Sequence, residues 1–125
     1  MNENDLAKIV VDICFHIHLK YGPGLFESVY EKIFCHEWRK TGIDILNQQG
    51  IKVLHDGLDM GIGFIPDIIV GNKVILELKS VENLMEVHYK QLTTYLRLTS
   101  LRLGLLVNFN VPLIKNGIHR IVNNL

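Results

Sequence analysis

The chain has none of the features that announce a membrane span, a secretory route or a disulfide framework. Its longest apolar runs are broken by charges within a few residues, so no segment reads as a membrane span. The opening MNENDLAK is polar and acidic and lacks the basic start and apolar block of a secretory signal. A cytoplasmic protein is therefore expected. Cysteine is scarce: Cys14 and Cys35 both fall in predicted helices, form no C-x-x-C pair, and read as small buried hydrophobes in a reducing compartment. Net charge is zero, which argues against a protein that coats nucleic acid through bulk electrostatics. Acidic residues disappear after Glu86, while Lys90, Arg97, Arg102, Lys115 and Arg120 follow. That basic half either faces a polyanion or is mixed with the acidic half by folding. A Gly-rich phosphate loop leading into a helix, G-x-S-x-G, zinc-type Cys/His spacing, repeats and low-complexity tracts are all missing.

What is present is enough apolar residue, 48% of 125 positions, for one compact domain over residues 1–125. The chain is organised around Phe64–Ser80, FIPDIIVGNKVILELKS, which reads as two apolar strands joined by a turn at Gly71-Asn72. Side chains alternate along a strand, so Glu77 and Lys79 share one face while Val74, Leu76 and Leu78 share the other. Asp67, after Pro66, lies in the first strand. Burying such charges is costly unless something uses them, and they read as half of a metal-dependent active site. A geometric condition follows. With a two-residue turn, Asp67 lies opposite Leu76, and its carboxylate projects away from that of Glu77. A three-residue loop (Gly71, Asn72, Lys73) or a bulge returns both to one side, and such an irregularity is expected.

Around this hairpin the periodicity predicts a helix over about 4–20, with Leu6, Ile9, Val10, Ile13 and Ile17 inward, ended by Tyr21-Gly22-Pro23-Gly24. His16 and His18 sit at its end on different faces, suited to the helix dipole or to exposure rather than to one metal. A second helix is predicted over about 26–40, with Phe26, Val29, Tyr30, Ile33 and Phe34 as its buried stripe. Glu27 falls within that stripe, aimed at the core. Strands are expected at 43–46 and 51–54, with a turn at His55-Asp56-Gly57, and Met60 to Val70 running into the hairpin. A third helix over about 82–99 turns Leu84, Val87, His88, Gln91, Leu92, Tyr95 and Leu96 inward, so His88, Gln91 and Tyr95 form a polar strip. A central strand over 102–109 and an edge strand over 118–122 complete an α/β protein with a mixed sheet.

These residues carry a resemblance. Asp67 after Pro66, then Glu77-Leu78-Lys79 on the next strand, resembles the signature of the PD-(D/E)XK nuclease superfamily. Gly24-Leu25-Phe26-Glu27-Ser28-Val29-Tyr30 matches G-x-x-E-x-x-Y, the motif of the GxxExxY family within it, and the flanking Tyr21-Gly22-Pro23 and Glu31 are similar too. Gln91-x-x-x-Tyr95 resembles the Q-x-x-x-Y element that follows the Glu-x-Lys strand in RecB-type nucleases. The resemblance covers nearly the whole chain. It implies a restriction-endonuclease-like core, a short mixed β-sheet flanked by helices. It also implies hydrolysis of phosphodiester bonds with Mg²⁺ or Mn²⁺, in nucleic acid and DNA before RNA. Asp67, Glu77 and the Leu78 carbonyl would hold the ion, which polarises the phosphate and acidifies water, and Glu27 would join directly, through water or at a second ion. Lys79 would orient water and offset phosphate charge, with Gln91 and Tyr95 positioning water or a phosphate oxygen and His88 assisting. A homodimer is compatible with so small a domain. The alternative is a binding module for nucleic acid or protein that keeps the fold without turnover.

Overall fold

The run Val74–Leu78 is buried at every position, which only a strand flanked on both edges and covered on both faces can satisfy. In the computed structural model, which describes residues 1–125, this run is the centre of a five-stranded sheet. The elements in chain order are α1 (Glu3–Tyr21), α2 (Glu27–Arg39), β1 (Ile45–Asn47), β2 (Ile51–His55), β3 (Leu58–Phe64), β4 (Ile68–Val70), β5 (Val74–Lys79), α3 (Glu86–Thr99), β6 (Leu103–Asn108) and β7 (Ile118–Val122). The sheet order is β1-β4-β5-β6-β7, with β5 and β6 parallel and the other pairs antiparallel. α3 is the crossover between the parallel pair. This mixed sheet with its helices is an α/β fold of restriction-endonuclease-like type.

Strand alternation divides the core in two. Val74, Leu76, Leu78, Leu103, Leu105 and Val107 pack against α1 and α2. Ile69, Ile75 and Leu106 turn the other way, onto Leu92 and Leu96 of α3. Both cysteines are free and buried, as expected. β6 is paired on both edges and β7 is a sheet edge, also as expected.

α1 starts on a reciprocal cap: Asn2 accepts from the Asp5 N–H at 2.8 Å and donates its own N–H to the Asp5 carboxylate at 3.0 Å. His18, read above as exposed or dipole-facing, is buried instead, with Nε2 2.8 Å from the Val111 carbonyl oxygen. The stripe of α2 also differs. Phe26 is an extended N-cap rather than a helical residue, so its ring points outward and is 81% exposed. Val29 is exposed too, and Tyr30, Phe34, Cys35 and Trp38 form the buried face.

Residues 60–70 are not one strand. β3 leaves the main sheet to pair with β2 in a separate two-stranded sheet, while Pro66, between β3 and β4, cannot donate to a ladder. Phe64 rejoins the body by stacking on Tyr95, ring centroids 4.3 Å apart. α3 begins at Glu86, not near Glu82, because the side-chain amide of Asn108 brackets Val81. It accepts from the Val81 N–H at 3.1 Å and donates to the Val81 carbonyl at 2.9 Å, which holds that segment extended. Val87, expected inside, is exposed in the first turn of the helix.

Asn108 in turn depends on Gly117, whose carbonyl accepts from the Asn108 N–H at 2.8 Å. A Cβ on Gly117 would stand 2.1 Å from the Asn108 carbonyl oxygen, and backbone cannot yield as a flexible side chain can. Gly117→Ala is therefore expected to destabilise the protein by about 3 kcal/mol. A urea unfolding midpoint unchanged from the parent would contradict that.

Candidate active site

The hairpin condition set by the sequence is met by its loop. Val70 pairs with Val74, Ile69 with Ile75 and Ile68 with Leu76, leaving Gly71, Asn72 and Lys73 as a three-residue connection. Continued one step, this register puts Asp67 opposite Glu77, on the α3 side of the sheet with Ile69 and Ile75. The Asp67 N–H points at Glu77 Oε1 at 3.4 Å, and Asp67 Oδ2 accepts from the Leu78 N–H at 2.9 Å. Glu77 is 6% exposed. Burial first, and the adjoining Asp67 carboxylate second, push its carboxyl up to about 9, while Lys79 pulls weakly the other way. Two acids in a low-dielectric place therefore share too much negative charge for both to ionise unaided.

Lys79, at the end of β5, reaches the rim of the sheet, where its Nζ lies 4.0 Å from Glu27 Oε1. Glu27 belongs to α2, the layer on the opposite face from Asp67 and Glu77. That layering is why Glu27 lies half-exposed beside Lys79 instead of next to the buried Glu77 and half-buried Asp67. The G-x-x-E-x-x-Y stretch holds this corner together. Gly24 has φ +105°, a conformation side-chain-bearing residues rarely adopt. The buried Tyr30 hydroxyl donates to the Gly22 carbonyl at 2.6 Å and accepts from the Leu25 N–H at 3.2 Å, closing the turn before α2. Ser80 Oγ donates to the Leu25 carbonyl at 2.7 Å, tying that turn to the residue after Lys79. Tyr30→Phe leaves both turn groups without this partner. We expect a loss of about 1–3 kcal/mol in stability, read by urea titration, together with weaker coupling of Glu27 to Lys79.

Tyr95 approaches the acid pair from α3. Burial, then the charges of Glu77 and Asp67, raise its hydroxyl above the ordinary tyrosine range, and the neighbouring Gln91 side chain offsets this in part. Gln91 is exposed and Tyr95 half-buried. His88 does not join this group: its Nδ1 accepts from the Met85 N–H at 3.0 Å, a cap on α3.

The sequence reading missed a polar network behind Asp67. Gln48 Nε2 donates to Asp67 Oδ1 at 3.2 Å and to both Glu31 oxygens at 2.9 and 3.1 Å. Asn47 Nδ2 donates to Glu31 Oε2 at 2.9 Å and to the Asp67 carbonyl at 3.0 Å. One signal was available: Glu31 is four residues after Glu27, which puts both carboxylates on one side of α2. Nothing local in Asn47-Gln48 marks them as partners of Asp67.

Asp67, just before β4, and Glu77, on β5, are neighbouring oxygen ligands that suit a hard divalent ion, and the negative charge crowded at Glu77 is what a cation relieves. The Leu78 carbonyl and Lys79 follow directly on β5. No set of three Asp, Glu, His or Cys side chains converges, since Glu27 stays with Lys79 and Glu31 with Gln48. Mg²⁺ keeps several waters, so two carboxylates and a carbonyl remain a sufficient donor set.

A family model described as the PD-(D/E)XK nuclease superfamily matches residues 4–121. No curated protein and no solved structure matches the chain.

Proposed function

The chain belongs to the PD-(D/E)XK nuclease superfamily, and from that premise we propose a divalent-metal-dependent nuclease that hydrolyses phosphodiester bonds in DNA. Within the superfamily its G-x-x-E-x-x-Y stretch favours the GxxExxY branch. The observation that carries the reading is the register of the hairpin, which sets Asp67 against Glu77 two residues before Lys79.

Asp67, Glu77 and the Leu78 carbonyl would hold Mg²⁺ or Mn²⁺. Once bound, such an ion supplies charge to polarise a phosphoryl oxygen and to favour deprotonation of water. The chain's own groups do the rest. The Leu78 N–H and Gln48 fix the rotamer of Asp67 through its two oxygens. Lys79, an ammonium at the rim, offsets the charge that builds on a phosphate entering above β5. Glu27 orients Lys79. Tyr95 keeps its proton and donates it in a hydrogen bond to a phosphate oxygen or a water, while Gln91 holds the hydroxyl in place. Phe64, stacked on the Tyr95 ring, covers one face of it and helps hold its orientation.

A second reading, a binding module of the same fold without turnover, draws on the absence of a third acid beside Asp67 and Glu77. Incubating labelled DNA with the protein and Mn²⁺, alongside Glu77→Ala and Lys79→Ala, separates the two. Cleavage lost in both variants supports the nuclease. Binding without cleavage in all three supports the module.

A further inference from the structure

The most exposed large apolar side chain of the molecule belongs to the residue next to Glu27, the partner of Lys79. Phe26 is 81% exposed, whereas Tyr30, Phe34 and Trp38 of the same segment are fully buried. Its backbone is fastened on both sides. The Leu25 carbonyl accepts from Ser80 Oγ and the Leu25 N–H donates to Tyr30, while Glu27 opens α2 and meets Lys79. An aromatic ring on a mobile loop is displayed by accident of disorder; this ring is displayed by a braced turn. It lies between Glu27 and Leu25, whose carbonyl holds Ser80, the residue that follows Lys79.

We propose that Phe26 is a base-stacking residue of the active site, and that the substrate presents an unpaired nucleobase there, as single-stranded DNA does. Every base has a π-face, but that face is covered in a continuous duplex and open in a single strand. With net charge zero, the protein has little bulk attraction for the phosphates of a single strand or of a duplex, so a grip on nucleic acid needs a contact of another kind. An exposed aromatic ring provides one that is indifferent to sequence. The role of Phe26 is thus to hold the nucleotide flanking the scissile phosphate, a positioning contact rather than participation in bond cleavage. The inference rests on the nuclease reading.

The test compares the full-length protein with Phe26→Ala, Phe26→Leu and Phe26→Trp. Binding to a fluorescently labelled single-stranded DNA oligonucleotide and to its duplex is measured in EDTA, so that cleavage plays no part. Because the ring is exposed, all three variants should melt with the parent. Stacking on one base predicts that Phe26→Ala and Phe26→Leu bind the single strand about tenfold more weakly, while Phe26→Trp matches or exceeds the parent. Duplex binding should not change. Unchanged single-strand binding in Phe26→Ala overturns the inference, as does an equal loss on duplex or a parent that binds neither strand. Failure of the nuclease reading looks different: single-strand binding that depends on Phe26, with no Mn²⁺-dependent cleavage.

Discussion

Glu77→Gln is expected to lower Mn²⁺-dependent cleavage by at least about a hundredfold and to leave the metal-free protein more stable above neutral pH. The two effects share one cause. Glu77 is buried against Asp67, and its carboxyl titrates near 9 instead of in the usual carboxylate range. A raised folded-state value means that the native protein holds a proton the unfolded chain has released. Glu77 therefore contributes fully to stability below about pH 4.5, and that contribution declines as pH rises, until it is gone once pH passes about 9. A divalent ion takes the place of the proton, so the stabilisation given by Mn²⁺ should grow with pH over the same window. Glutamine has nearly the same shape, carries no charge to desolvate and can donate to Asp67, but it cannot neutralise a cation. Melting curves at pH 6 and pH 9, with EDTA and with Mn²⁺, test all of this. A Mn²⁺ shift of equal size at both pH values, or one retained in Glu77→Gln, would remove Glu77 from the ligand set.

Lys79→Met is expected to reduce cleavage by about 10²–10³-fold while leaving the Mn²⁺ shift in melting temperature intact. The ammonium has a different task from the carboxylates. It faces Glu27 and is partly exposed, and in the proposed mechanism it offsets charge on a phosphate rather than helping to enclose an ion. Methionine keeps most of the side-chain length and removes only the charge. The two variants should therefore separate cleanly, Glu77→Gln losing both metal response and cleavage, and Lys79→Met losing cleavage alone. Glu27→Gln gives a third point: freeing Lys79 from its carboxylate should perturb cleavage less than removing the lysine. Loss of the Mn²⁺ shift in Lys79→Met would mean that the lysine shapes the ion site itself.

Much of this arrangement was legible before any coordinates. Period-two alternation put Glu77 and Lys79 together, and parity alone demanded an odd loop if Asp67 was to join them; the Gly71-Asn72-Lys73 connection supplies it. The helical segments and the central placement of Leu103–Val107 also followed from local pattern. Phe26 did not, because a residue at helical spacing buries only if the helix has already started, and a cap is settled by φ and ψ rather than by hydrophobicity; Val29 is helical but lies off the buried face of Tyr30, Phe34, Cys35 and Trp38.

What the sequence by itself determined is the chemistry on each strand and the parity between them, since side-chain direction along extended backbone repeats every two residues regardless of context. Only the tertiary structure decided which side of the sheet each acid meets. Glu27 was expected in the core with Asp67 and Glu77, yet α2 packs on the other layer and hands it to Lys79. Likewise, Gln48 reaches Asp67, and carries Glu31 on its other side, because β1 docks on the edge of β4 and brings distant stretches of chain together. Such partners are fixed by packing over long loops, and no local periodicity encodes them.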